Sequence, residues 1–103
     1  MNNEQEIMQI IVHGGNARSK ALMAVRSSRE QDFELADEQI AEAKEAMGIA
    51  HKVQTKLIQA ETRGEKIEIN LLMVHAQDHL MNAMTVVDLA VEMIADKKER
   101  VGK

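Results

Sequence analysis

The chain has 103 residues, 13 Lys+Arg against 17 Asp+Glu, a single Phe and no Cys, Pro, Trp or Tyr. That length suits one domain over 1–103 with one core. A net charge of −4 gives no electrostatic footprint for nucleic acid or anionic lipid, and without cysteine there is no disulfide, thiolate nucleophile or Cys-based zinc site.

Sheets favour β-branched and aromatic side chains, whereas here the 45% hydrophobic content is carried by Ala, Met, Leu, Ile and Val, so the class expected is all-α. No apolar run approaches the ~20 residues of a membrane span. The start, residues 1–6, is acidic and polar, unlike the basic n-region of a signal peptide. The expectation is a cytoplasmic protein with no direct membrane insertion. Its core, almost without aromatic rings, buries little area alone and invites self-association.

The first helix is predicted from about Glu4 to Ser28, with Ile7, Ile10, Ile11, Ala17, Ala21, Leu22 and Val25 at three- and four-residue intervals. Gly14-Gly15-Asn16 interrupts it. Either the helix is locally weakened there, or another helix or a ligand comes close to the backbone. Ser27 to Asp32 reads as a polar turn, with Asp32 as N-cap and Glu34 in the following first turn.

The second helix runs to about Arg63 along the seam Phe33, Ala36, Ile40, Ala43, Met47, Ala50, Gln54 and Leu57, a heptad spacing with one polar intruder, Gln54. Gly64 is placed as its C′ residue. The third helix, about Ile67 to Glu99, is apolar over most of its circumference: Leu71 to Val74, Leu80-Met81, Met84, Val86-Val87, Leu89, Val91 and Met93-Ile94. Such a helix is buried on more than one side. The architecture expected is an antiparallel three-helix bundle that associates through helix three.

Within that helix lies His75-Ala76-Gln77-Asp78-His79-Leu80-Met81. The three- and four-residue spacings put His75, Asp78 and His79 on one face, with Gln77 on a flank. Buried polar groups need partners, and three readings compete. An imidazole can accept a phosphoryl group, with a nearby carboxylate or amide holding its tautomer. The two histidines and the aspartate can bind a metal, although the signal is weak without a third known contributor. The stripe can also be a non-catalytic network that only sets oligomer register. If Asp78 faces an oligomer axis, identical carboxylates meet there and must take up a proton or a cation, and oxygen ligands suit Mg²⁺ better than zinc.

The remaining candidates carry less. His13 reads as a packing residue and His51 as a solvated or interface residue, and Arg18 and Lys20 are cations able to attract phosphate. Four of the eight Met lie in helix three, which suits adaptable core.

The heptapeptide from His75 to Met81 resembles that of the lactose/cellobiose-class IIA components of the bacterial phosphoenolpyruvate-dependent sugar phosphotransferase system. The similarity extends through Gly15-Asn16-Ala17-Arg18-Ser19 and through the stretch from Ala50 to Ile58, leaving out only the short termini. The latter stretch resembles the cellobiose/diacetylchitobiose branch more than the lactose branch. The resemblance implies a homotrimer of three-helix subunits, a nine-helix assembly, importing a β-disaccharide of cellobiose, diacetylchitobiose or lactose type. It implies that His75 takes phosphate from the phosphocarrier protein and passes it to a cysteine of a IIB component. Gln77 would hydrogen-bond the phosphoryl group, and His79 would at most support it. Asp78 from each subunit would meet a structural divalent cation, Mg²⁺, on the trimer axis.

Overall fold

The computed structural model describes residues 3–102; residues 1 and 2 of the acidic start, and residue 103, lie outside them. Three helices follow one another: α1 Glu4–Arg29, α2 Phe33–Thr62 and α3 Leu71–Val101. They form an elongated antiparallel bundle of 55 × 19 × 18 Å. The all-α expectation holds.

Boundaries follow local chemistry. The side chain of Asp32 accepts from the Leu35 N–H at 3.2 Å, which starts α2 as the sequence suggests. Two similar closures end α1 and α2. At α2, Gly64 N–H donates to Glu61 O and Glu65 N–H to Ala60 O, a Schellman arrangement with Gly64 at φ 93°. At α1, Gln31 and Asp32 donate to Ser28 O and Ser27 O in the same way, but Gln31 holds the left-handed position at φ 63°. A left-handed L residue costs about 1 kcal/mol or more that glycine avoids. Gln31→Gly, on an exposed side chain, should therefore stabilise the fold by about 0.5–1 kcal/mol, read as a rise in thermal midpoint.

Two expectations need adjustment. Ser27 and Ser28 belong to α1 rather than to a turn; Ser28 is buried, and the Ser27 hydroxyl donates to the side-chain carbonyl of buried Gln39 at 2.7 Å. Helix three starts four residues later than expected. Asn70 caps it by accepting from the Met73 N–H at 2.9 Å, while Ile67 sits in the preceding segment as a half-buried side chain against the core.

Nine of the sixteen buried hydrophobic residues among those described are alanines, which lets the helices approach closely but yields little apolar area per residue. The α2 seam buries Ala36, Ala43, Ala50, Gln54 and Leu57, with Phe33, Ile40 and Met47 half-covered. Both α2 and α3 pack mainly on α1 and meet each other less. On α3 the buried stripe is Met73, Ala76, Leu80, Ala83, Val87, Ala90 and Ile94. The opposite side keeps Leu71, Val74, Met81 and Leu89 more than half exposed. One chain thus leaves a second apolar face of α3 uncovered, a face the sequence already indicates.

Candidate functional site

The cap at Asn70 places the polar heptapeptide in the second and third turns of α3. Ala76 and Leu80 are fully buried and fix the rotation of the helix. At about 100° per residue, this turns Asp78 away from the core and divides its polar neighbours between two flanks.

On the α1 flank the His75 and His79 rings stack, with centroids 5.8 Å apart and planes at 24°. His75 is exposed, and His79 is half-buried against Gly14 and Gly15 of α1. A Cβ built on Gly15 would stand 3.1 Å from His79 Nε2, and one on Gly14 would stand 3.5 Å from His79 Cδ2. Helix α1 is continuous through both glycines. Of the two readings of Gly14-Gly15, close approach of another helix is the one observed.

On the α2 flank, buried Gln54 donates its amide N–H to the side-chain carbonyl of Gln77. The polar intruder of the α2 seam thus has its partner in the heptapeptide. Within one chain Gln77 faces away from His75. With Asp78, Ile58, Ile69, Val74 and Met81 it lines an open cleft of about 370 Å³ between α2 and α3.

His75, Asp78 and His79 lie on neighbouring positions of α3 as their spacing requires, but their side chains engage different surroundings. The His79 ring packs on α1 with the exposed His75 ring stacked on it, and Asp78 lines the α2 cleft. Among the described residues no group of three or more His, Cys, Asp or Glu side chains is placed to hold a metal within the chain. His51 is exposed on α2, and His13 is half-buried between clefts on either side of α1. Lys20 pairs with Glu42 at 3.0 Å, so its charge is engaged, and Arg18 is exposed. No helix among the described residues is long and apolar enough to cross a membrane.

The arrangement offers one nucleophilic imidazole in solvent, backed by a second ring, on a rigid helix beside uncovered apolar surface. Residues 5–98 match the family model of the phosphotransferase system, lactose/cellobiose-specific IIA subunit. The chain is 55% identical over 96 residues to the lichenan-specific phosphotransferase enzyme IIA component of Bacillus subtilis (strain 168), covering 91% of this chain and 87% of that protein. The crystal structure of the cellobiose-specific enzyme IIA from Bacillus anthracis superposes with a TM-score of 0.95 at 48% identity, covering 100% of this chain and 94% of that one. The IIA(Chitobiose)–HPr complex of the Escherichia coli N,N'-diacetylchitobiose branch superposes with a TM-score of 0.79 at 34% identity, over 96% of each chain. The chain belongs to the lactose/cellobiose-specific IIA family of the phosphotransferase system, whose members relay phosphate through a histidine.

Proposed function

We propose that His75 is the phosphate-carrying histidine of this relay, loaded by HPr and discharged to a cysteine of a IIB component in the cytoplasm. The observation that carries this reading is the placement of His75. It is the exposed imidazole of the α3 heptapeptide, stacked on His79 and next to the exposed apolar side chains Leu71 and Leu72. In the transfer, a ring nitrogen lone pair of His75 forms the new N–P bond as the donor's phosphohistidine N–P bond breaks. The donor imidazole leaves with its electron pair. Positioning and charge stabilisation supply most of the catalysis of such an in-line step. The sugar class read from the relatives is a β-linked disaccharide or oligosaccharide, of the lichenan, cellobiose or diacetylchitobiose type.

The working unit in this reading is a homotrimer assembled through the uncovered face of α3. Leu71, Val74, Met81 and Leu89 run along that face at helical spacing with Asp78 among them. A cyclic assembly brings one flank of each α3 toward the opposite flank of the next. Gln77 then serves the His75 of a neighbouring copy, with its amide N–H₂ directed at the phosphoryl oxygens while its carbonyl stays on Gln54. Each chain offers the outward carboxylate of Asp78, so three copies provide three carboxylates with hard oxygen donors, a set that fits a divalent cation such as Mg²⁺. Bound there, the ion would offset two of the three like charges and act structurally.

The test is incubation with phosphoenolpyruvate, enzyme I and HPr, followed by peptide mapping of the acid-labile phosphate. One phosphate per chain on His75 is expected; phosphate on His13, His51 or His79 instead overturns the assignment.

A further inference from the structure

We infer that Gly14 and Gly15 form a seat on α1 for the His79 ring, and that His79, held there, fixes the imidazole of His75 by stacking. Gly15 and His79 are then positioning residues for phosphoryl acceptance, an inference that rests on His75 being the acceptor.

Two adjacent glycines in the middle of a 26-residue helix weaken it. Neither has the positive φ that would require glycine, since Gly64 is the glycine that does. What their missing side chains provide is space. At Gly14 an added Cβ would make ordinary contacts, 3.5 Å to His79 Cδ2 and 3.7 Å to Leu80 Cα. At Gly15 it would stand 3.1 Å from His79 Nε2, so the ring must yield. Gly48 provides the contrast, with nothing within 4 Å of an added Cβ.

The crowded atom at Gly15 belongs to the far edge of an imidazole, a group that can swing without moving either helix. A methyl group there therefore displaces the ring and leaves the bundle standing. Displacement of that ring bears directly on His75, because the two are stacked. An exposed histidine left to itself samples several rotamers, and each nonproductive one lowers the fraction poised for in-line attack. A half-buried ring clamped by α1 narrows that choice.

The experiment compares Gly15→Ala, His79→Ala, the double variant and Gly48→Ala as full-length assembled protein, with phospho-HPr as donor. Gly15→Ala should keep its thermal midpoint at or above that of the parent, because alanine favours helix. Its phosphorylation rate should fall about tenfold, the scale of a sub-ångström misplacement of a reacting group. The loss should lie in kcat with KM unchanged, since the donor-facing surface is intact. The double variant should be no slower than His79→Ala alone, showing that Gly15 acts through that ring. Gly48→Ala should match the parent. Side-chain ¹⁵N and ¹H resonances of His75, recorded on the unphosphorylated protein, should shift in Gly15→Ala and not in Gly48→Ala. A parental rate for Gly15→Ala, losses that simply add in the double variant, or unchanged His75 resonances would each overturn the seat. Phosphate mapped to another residue in the parent, with the resonances shifted as expected, would instead overturn the acceptor assignment and with it the catalytic meaning of the seat.

Discussion

His75→Ala should lower phosphate acceptance from phospho-HPr by more than ~10⁴-fold, or beyond about 5 kcal/mol of transition-state stabilisation, because the variant lacks the atom that forms the new bond. The expected fall is total loss within the sensitivity of a gel assay for acid-labile phosphate. The variant should remain folded with unchanged helicity, since His75 is exposed and the core beneath it consists of Ala76 and Leu80. His13→Ala and His51→Ala supply the contrast. One lies beside the α1 clefts and the other on the outer side of α2, and each should accept phosphate within about threefold of the parent, as substitutions away from the reacting atoms do. A His75→Ala protein that still accepts one phosphate per chain would remove the basis of the mechanism.

Much of this site is legible in the amino-acid sequence. Helical periodicity placed all three helices, Asp32 and Gly64 marked their ends, and the spacing along α3 located a polar group on an apolar element. Local signals decide these features: a cap needs only its own turn, and a periodic seam only its own helix. The start of α3 was less readable, because Ile67 and Ile69 continue an apolar pattern that the Asn70 cap interrupts. Partnerships across the bundle were not readable. Gln54 looked like an intruder in the α2 seam because its partner, Gln77, is 23 residues away on another helix. Gly14 and Gly15 looked equally like a weak point because the ring that needs their space comes from α3. The different surroundings of His75, Asp78 and His79 were not readable for a related reason. Spacing alone puts them within reach of each other, but the burial of Ala76 and Leu80 and the room over α1 decide where each one turns.

Sedimentation of the parent protein should give three copies of the 11.5 kDa chain, and Met81→Glu should dissociate them. Met81 is half exposed in the single chain, one turn from Asp78 on the uncovered side of α3. In a trimer built on that face it becomes interior, and three added carboxylates would be desolvated next to three existing ones. Assembly should then require at least ~100-fold more protein, equivalent to about 5.5 kcal/mol per trimer because the trimer constant scales with the square of the concentration. Asp78→Leu separates the apolar contribution from the ionic one. It makes the stripe through Val74, Met81 and Leu89 continuous, so the trimer should persist, while the sensitivity of the parent to a chelator should vanish with the carboxylates that hold the cation. A parent indifferent to chelation would remove the axial ion but keep the apolar interface. An Asp78→Leu variant that is monomeric at every concentration would mean that the carboxylates hold the assembly together and that the apolar face of α3 serves some other partner.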